Sequence, residues 1–163
     1  MNGQSSEWGD ISAGVPQGSI LGPLFFLVYI NDLAVGLKCN VKLFADDTSL
    51  FTVVEDPHAA ANDMNHDLDL ISQWAYSWKI SFNPDPQKQA VELKFSRKKS
   101  EIDHPVILFN NIPVKKVDEH KHLGIILDSK LAFSAHIKSA ISKTRKGIGF
   151  LKYLSKCRPR NTL

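Results

Sequence analysis

A pair of adjacent acidic residues between two apolar segments constrains the fold of this chain most strongly. Residues 41–44 and 50–54 are rich in β-branched and aromatic side chains, which favours two strands. The four residues 45–48 lie between them and predict the turn of an antiparallel hairpin. Asp46 and Asp47 are therefore expected at the hairpin tip. Two neighbouring carboxylates repel each other unless they are well solvated or bind a cation.

Apolar periodicity predicts three helices. The charge-free stretch 11–31 ends in the dense apolar run 24–30, which predicts a buried helix behind a glycine-rich loop. Asp56 and Pro57 are typical of an N-cap and a first helical residue, and the helix of about twenty residues that they begin is expected to end at 83–86. The apolar face of that second helix is expected to contain Ala60, Met64, Leu68, Ile71, Ala75 and Trp78.

The remaining segments predict strands and a basic helix. Strands are expected at 90–95, 106–109, 112–117 and 122–127, with a tight hairpin at Asn110-Asn111 because Asn tolerates positive φ. From Ser134 the apolar spacing is helical again, weakened by Gly147 and Gly149. The order helix, hairpin, helix, strand, hairpin, strand, helix predicts an α+β domain, with an antiparallel sheet and helices packed on one face.

Size and cysteine content limit the possible classes. The 163 residues correspond to one domain at roughly 150 residues per domain. Cys39 and Cys157 are the two cysteines, too far apart in sequence to suggest a disulfide framework or a zinc site. No secretory signal pattern begins the sequence. We therefore expect an intracellular protein, nuclear or cytoplasmic and not secreted.

The charge of the chain is unevenly distributed. Residues 1–128 contain 11 Lys or Arg and 17 Asp or Glu, whereas residues 129–163 contain nine basic residues and no acidic residue. An acidic body followed by a basic tail predicts a polyanionic partner at one end. A solvated helix face explains the same run of charge, and the sequence leaves both interpretations open.

Two segments carry candidate chemistry. Asp46 and Asp47 supply the hard oxygen ligands that Mg²⁺ prefers, although acidic turns are also common without a metal. The loop 14–19 is rich in small residues that permit close approach of a nucleotide backbone, and it precedes a helix N-terminus that can bind phosphate. Within this loop Gln17 can form two hydrogen bonds with a ligand. A structural turn is the alternative for the loop.

Together these segments resemble the reverse transcriptases of non-LTR (LINE-type) retrotransposons, including jockey-like mobile elements. Residues 14–33 are similar to the PQG segment of that family, and Phe44-Ala45-Asp46-Asp47 is similar to its [FY]-x-D-D polymerase motif. Residues 78–88 resemble the next palm segment. Residues 122–137 resemble the hairpin that grips the primer and leads into the thumb.

The resemblance implies a polymerase palm in 1–128 and the start of a helical thumb in 129–163. It implies RNA-directed DNA polymerase activity with two Mg²⁺ ions, or Mn²⁺ in their place. A primer 3′-hydroxyl then attacks the α-phosphate of a deoxynucleotide and releases pyrophosphate. The implied partners are an RNA template, a DNA primer, deoxynucleotide triphosphates and the remaining parts of the retrotransposon polyprotein, with no membrane.

The resemblance also assigns roles to individual residues. Asp46 and Asp47 are implied as metal ligands, and Lys88 as the group that protonates the leaving pyrophosphate. Leu123 and Gly124 are implied as primer contacts. The implied nucleotide- and template-binding residues are Pro16, Gln17, Gly18, Phe44 and Ala45.

One departure from the family pattern bears on activity. The family has another catalytic aspartate on a strand upstream of the PQG segment, whereas the 13 residues before Gly14 contain only Glu7 and Asp10 as acidic residues. Neither lies in an apolar strand. We therefore expect the chain alone to be inactive and poorly soluble. The alternatives are a nucleic-acid-binding remnant without catalysis and, more remotely, an unrelated Mg²⁺-binding regulatory domain.

Three smaller features have open interpretations. His120 and His122 have the spacing of one strand face, which suits an ordinary sheet better than a metal site. Trp74 and Trp78 are expected to pack in the core rather than stack on bases. The basic segment 97–99 suits a nucleic-acid contact and a solvated turn equally well.

Overall fold

The computed structural model describes residues 14–15, 18–82, 90–96 and 103–157. Within these ranges the chain forms helices and short strands, so the predicted α+β class is confirmed. The elements are α1 Leu21–Ile30, β1 Asn40–Phe44, β2 Asp47–Phe51, α2 Pro57–Ser77, β3 Val91–Leu93, β4 Leu108–Phe109, β5 Ile112–Pro113, β6 Lys115–Val117, β7 Glu119–His122, β8 Ile125–Asp128 and α3 Ser134–Cys157.

The described strands form four separate two-stranded ladders rather than one sheet. Three ladders are antiparallel hairpins: β1 with β2, β4 with β5, and β7 with β8. The fourth pairs β3 with β6 in parallel, which corrects the prediction of a purely antiparallel sheet. The parallel pair arises because the hairpin β4–β5 lies between β3 and β6 and returns the chain to its earlier direction.

Helix α2 begins as the sequence predicts. The carboxylate of Asp56 accepts a hydrogen bond of 2.9 Å from the N–H of His58, and Pro57 is the first helical residue. This N-cap satisfies one of the N–H groups that a helix start leaves unpaired. The helix contains 21 residues, which confirms the predicted length of about twenty.

The end of α2 lies before the predicted position at 83–86, which is outside the described residues. After Ser77 the chain turns at Lys79, whose φ is +58°. The N–H of Ile80 donates to the carbonyl of Ala75 over 2.9 Å, and the N–H of Lys79 donates to that of Tyr76. This is the Schellman arrangement that closes a helix through a left-handed residue, so no proline is needed to end α2.

A small core joins α1, α2 and two hairpins. Ile30 and Leu33, at and just beyond the end of α1, lie against Ile71 of α2, and all three are buried. Burial of such side chains supplies the main favourable free energy of folding. The partly buried residues that pack around them are Phe26, Leu37, Leu50, Trp74 and Phe109.

Helix α1 is less buried than the sequence predicts. It contacts the core through Phe26 and Ile30, whereas Leu27 and Val28 are 60% and 71% exposed. An entirely apolar helix needs neighbours on all sides, and the described residues cover one side of α1. The prediction of a buried helix is therefore wrong for this part of the molecule.

Helix α3 confirms the helix predicted from Ser134 and runs without interruption through Gly147 and Gly149. Its side chains from 140 to 156 are all exposed. Apolar residues such as Leu151, which is 64% exposed, face solvent beside the basic ones. None of the helices in the described ranges is both long and apolar enough to cross a membrane.

Candidate active site

The acidic pair lies at the exposed end of the β1–β2 hairpin. The last pair of the ladder joins Phe44 to Asp47, so Ala45 and Asp46 form a two-residue turn, with φ of +50° at Ala45. The predicted four-residue turn at 45–48 is wrong, because its last two residues already pair in the ladder. The two carboxylates therefore come from different settings, one from the turn and one from the first residue of β2.

The two faces of this hairpin differ in environment. Successive strand side chains alternate between faces, so Asp47 shares its face with Ser49 and with the cross-strand neighbour Phe44. Leu50 lies on the other face and packs against the core. The hairpin is thus held from one side, while Phe44, 64% exposed, and the acidic pair remain accessible on the other.

Asp46 and Asp47 fit part of a divalent-cation site. Both residues are exposed, and carboxylate oxygens are the ligands that Mg²⁺ and Mn²⁺ prefer, with water completing the coordination. Within the described ranges no group of three or more His, Cys, Asp or Glu side chains is placed to hold a metal. The described residues thus offer two carboxylates at this point, without a third.

A second hairpin lies close to the acidic one. Strands β7 and β8 pair antiparallel, and Leu123 and Gly124 form the turn with φ of +47° and +85°. The single strand predicted at 122–127 is wrong, because Gly124 permits the second positive φ of a tight turn. The side chain of His122 joins the hairpins: its Nε2 lies 3.4 Å from Oγ of Ser49.

The two histidines of β7 share one face, as their spacing predicts. The rings of His120 and His122 are stacked with centroids 6.5 Å apart. The contact between His122 and Ser49 connects this face of β7 to the face of β2 that carries Asp47. The structure therefore brings the primer-contact candidates and the acidic pair into neighbouring hairpins.

The glycine-rich loop leads into α1. Gly18 has a φ of +89°, which glycine adopts without steric cost. Oγ of Ser19 accepts a hydrogen bond of 3.1 Å from the N–H of Gly22. Pro16 and Gln17 lie outside the described residues, so their predicted contacts with nucleotide and template stay predictions.

Several other predicted residues also lie outside the described ranges. They are Lys88, Glu7, Asp10 and the basic segment 97–99. Their predicted roles stay predictions.

The tryptophans of α2 form an aromatic cluster with α1. Tyr29, Trp74 and Trp78 have ring centroids 5.3–6.3 Å apart, and Nε1 of Trp74 donates to Oδ1 of Asp32 over 2.9 Å. Trp74 packs against the core as predicted. Trp78 lies at the rim of the cluster and is 45% exposed, so the prediction of core packing is wrong for this residue.

A buried carboxylate, missed by the sequence interpretation, holds the start of β1. Asp67 of α2 is completely buried. Its Oδ2 accepts 2.9 and 2.7 Å hydrogen bonds from the N–H groups of Lys38 and Cys39, and its Oδ1 lies 3.1 Å from the N–H of Lys38 and 3.2 Å from Nδ1 of His66. Burial raises the pKa of this carboxyl, but the hydrogen bonds from Cys39 and Lys38 outweigh it and lower the pKa below 3.8.

The same contact explains the state of Cys39. Cys39 is buried, at 8% exposure. Burial, followed by the hydrogen bond to Asp67, raises the pKa of the thiol to about 12.

A signal for Asp67 was present in the sequence: it lies three residues after Met64 and four before Ile71, on the apolar side of α2.

A second carboxylate fixes the entry into α3. Asp128 ends β8 and accepts hydrogen bonds from the N–H groups of Lys130, Ala132 and Phe133 over 3.1, 2.9 and 2.6 Å. The bond from Ala132 is the largest cause that lowers the pKa of this carboxyl. The hairpin β7–β8 and the basic helix are thus joined by a hydrogen-bonded connection.

Exposed basic residues follow one side of α3. Lys138, Arg145 and Lys152 recur every seven residues, which places them along one face of the helix. All three are exposed. Such a row of charge can follow a polyanionic backbone, in agreement with the charge asymmetry of the sequence.

Comparison with known proteins identifies a matching family model. Residues 1–127 match the model described as reverse transcriptase (RNA-dependent DNA polymerase). Over the whole chain the sequence is 29% identical to the RNA-directed DNA polymerase from mobile element jockey of Drosophila melanogaster. Over 83% of the chain it is 31% identical to a probable RNA-directed DNA polymerase from transposon X-element of the same species.

These relatives are much longer than the chain. The chain spans 18% of the jockey protein and 15% of the X-element protein. It is also 23% identical, over 85% of its length, to a retrovirus-related Pol polyprotein from type-1 retrotransposable element R1 2 of Nasonia vitripennis, of which it spans 35%. No solved structure gives a significant match.

Proposed function

The chain belongs to the reverse transcriptase (RNA-dependent DNA polymerase) family, and from that premise we propose that it is the catalytic-hairpin segment of a retrotransposon polymerase. In this proposal Asp46 and Asp47 hold the divalent ions of nucleotidyl transfer. The segment comprises a partial palm, 1–128, and the start of a thumb, 129–163. The end of the family match at residue 127 supports that boundary.

The observation that carries the proposal is the placement of the acidic pair. The pair lies at the accessible end of a ladder whose opposite face packs on the core through Leu50. A site that must hold ions in a fixed geometry needs such rigid support. Asp46 and Asp47 would hold the two ions, which would supply Lewis-acid stabilisation of the negative charge that develops during nucleotidyl transfer.

The nucleotide site is proposed around the same hairpin. Phe44 and Ala45 adjoin the acidic pair, and Gly18 lies in the loop before α1. The roles proposed for Pro16 and Gln17, and for Lys88 as proton donor to pyrophosphate, rest on the family resemblance. Deoxynucleotide triphosphates are the proposed substrates.

The nucleic-acid partners are proposed at the second hairpin and α3. Leu123 and Gly124 form an exposed turn beside the acidic hairpin, which suits contact with a primer strand. The exposed row of Lys138, Arg145 and Lys152 suits the phosphates of the primer–template duplex. We propose an RNA template, a DNA primer and the rest of a retrotransposon polyprotein as partners, in the nucleus or cytoplasm.

We propose that the chain alone does not polymerise, since it spans only 18% of the length of its jockey relative. Primer extension on an RNA template with Mg²⁺, comparing the chain with Asp46→Asn/Asp47→Asn, tests this. Extension by neither protein is the expected result. Extension lost in the variant would overturn the proposed inactivity, and equal extension by both would overturn the assignment of the two carboxylates.

A nucleic-acid-binding remnant without catalysis is the second candidate, favoured by the exposed basic row on α3. A simple binder keeps its affinity for a primer–template duplex after Asp47→Asn, whether or not Mg²⁺ is present. In the polymerase proposal, Mg²⁺ increases the affinity for a deoxynucleotide in the unaltered chain and not in Asp47→Asn. Isothermal titration with both ligands separates the two candidates.

A further inference from the structure

A buried carboxylate of α2 binds the residues that directly precede the acidic hairpin. Asp67 accepts hydrogen bonds from the N–H groups of Lys38 and Cys39, the two residues directly before β1. We propose that Asp67 is a positioning residue, which fixes the register of the β1–β2 hairpin and so sets where Asp46 and Asp47 lie. This inference rests on the proposed function.

The hydrogen bonds from the N–H groups of Lys38 and Cys39 to Asp67, called the clamp below, have the features of a strong interaction. The side chain is completely buried, and bonds from N–H groups to an ionised carboxylate are stronger than those between neutral groups. Removing the acceptor would leave two N–H groups without their partner, one of them on the buried residue Cys39. The hydrogen bonds to Asp67 therefore hold the segment 38–39 against α2.

The clamp controls register because it lies at the far end of the strand from the acidic turn. Five residues of β1, or about 17 Å at ~3.4 Å per residue, separate the two. A slip of one residue would exchange the faces of every side chain in the strand. Leu50 fixes the hairpin on the core side, and Asp67 fixes the residue at which its first strand begins.

A neighbouring carboxylate provides a matched control. Asp63, one turn earlier on α2, contacts the same Lys38, but through a side-chain ion pair of 2.6 Å. Both partners of that pair are about half exposed, at 54% and 44%, so the pair contributes little. Asp63→Asn removes a charge of the same sign from the same helix without touching the backbone bonds to 38–39.

The test measures amide hydrogen exchange by NMR in the unaltered chain, Asp67→Ala, Asp67→Asn and Asp63→Asn. In the Asp67 variants, the rate of amide exchange should rise at least tenfold in β1 and β2. In the body of α2 and in β7–β8 it should rise less than about threefold. Asp63→Asn should change neither set. Asp67→Asn keeps the side-chain shape and decides the question if Asp67→Ala does not fold.

A second readout follows the metal site itself. Mn²⁺ should broaden the amide signals of residues 45–48 in the unaltered chain and in Asp63→Asn. In the Asp67 variants, the broadening of the same signals at equal Mn²⁺ concentration should be at least threefold smaller. A uniform rise of exchange over the whole fold, or hairpin amides that do not respond, would overturn the positioning role. Intact broadening in the Asp67 variants would overturn it as well.

The two proposals fail in different ways. If Mn²⁺ broadens no signal at 45–48 in the unaltered chain, the proposed metal site is overturned, together with the purpose assigned to the clamp. If the broadening is present and Asp67→Asn leaves it unchanged, the metal site stands and the positioning role alone is overturned.

Discussion

At the scale of single residues, the most informative side chains are carboxylates bonded to backbone N–H groups. Asp67 and Asp128 each accept several such bonds, and each has a pKa below the ordinary 3.8. Neither belongs to the proposed metal site. Their role in this account is to fix the segments that carry the acidic pair and the basic helix.

The lowered pKa of Asp67 predicts a specific dependence of stability on pH. A carboxyl whose pKa is lower in the folded than in the unfolded state stabilises the fold at pH values above 3.8, and this stability is lost as the pH falls through the lowered pKa. The difference in unfolding free energy between the chain and Asp67→Asn should therefore be constant above pH ~5 and shrink below 3.8. Urea unfolding across this range measures it, and a difference that is independent of pH would contradict the account.

The buried thiol of Cys39 makes a second prediction at this scale. Its pKa of about 12 leaves almost no thiolate at pH ~8. In a Cys157→Ser background, iodoacetamide should modify the folded chain at least about 100-fold more slowly than the urea-unfolded chain, because burial and the raised pKa both suppress the reactive thiolate. Asp67→Asn should accelerate the reaction in the folded state, because it removes the hydrogen bond and loosens the segment. Equal rates in folded and unfolded chains would show that Cys39 is exposed.

The residues that the sequence could and could not predict differ in where their partners lie. Asp46 and Asp47 stand out because they lie between the apolar segments 41–44 and 50–54. Asp67 has its partners 28 and 29 residues away, at Cys39 and Lys38, so no local pattern identifies them. Its position on the apolar side of α2 was the available signal.

At the scale of secondary-structure elements, two of the three tight hairpin turns in the described ranges form a natural comparison. Asn110 and Asn111 have φ of +51° and +61°, and Leu123 and Gly124 have +47° and +85°. Asn tolerates this region, whereas Leu is strained there by about 1 kcal/mol. An exposed, strained leucine at a proposed primer contact agrees with a functional constraint on the turn.

Replacing the strained residue should stabilise the hairpin. Leu123→Asn creates an Asn-Gly turn, which suits a two-residue hairpin, and should raise the unfolding free energy by about 1 kcal/mol while it weakens primer binding. The reciprocal change Asn110→Leu, at the equivalent turn position, should lower the unfolding free energy by a similar amount. Chemical denaturation measures both, and a destabilised Leu123→Asn would contradict the strain argument.

The basic row on α3 predicts how nucleic-acid binding depends on salt. Each phosphate contact contributes about 0.9 to the slope of log affinity against log salt for duplex DNA. Lys138→Gln/Arg145→Gln should therefore lower that slope by nearly 2. Lys143→Gln, on another side of the same helix, is the matched control and should change it little. Fluorescence anisotropy at several salt concentrations measures the slopes, and equal effects of both changes would argue against a specific face.

The elements were predicted best where the signals are local. The cap at Asp56, the turn at Asn110 and the start of α3 at Ser134 all agree with the sequence, because each depends on neighbouring residues. The parallel pairing of β3 with β6 and the turn at Leu123 were missed. The first depends on contacts distant in sequence, and the second on a strained residue that composition does not suggest.

At the scale of the whole molecule, the described surface exposes large apolar side chains on two helices. Leu27 and Val28 of α1 and Phe150 and Leu151 of α3 are each at least 60% exposed. Exposed apolar patches of this kind mark interaction surfaces or cause aggregation. The longer relatives contain further chain that this sequence does not match, and we propose that such chain covers these faces in an intact polymerase.

This exposure predicts that the isolated chain associates with itself in solution. Size-exclusion chromatography should show association that increases with protein concentration, and the dye ANS should bind to the native chain. Val28→Lys with Leu151→Lys should reduce both effects, whereas Lys143→Gln should not. A monodisperse monomer that binds no dye would contradict the proposed uncovered faces.

The proposed polymerase metal site lies at the Phe44–Asp47 end of the hairpin. The most direct measurement is the broadening of amide signals by Mn²⁺ in the chain, in Asp46→Asn/Asp47→Asn, and in Asp69→Asn as a control acidic residue on α2. We expect the strongest broadening at residues 45–48, lost in the double variant and retained in the control. Broadening at 45–48 that persists without the two carboxylates, or that is absent from the unaltered chain, would contradict it.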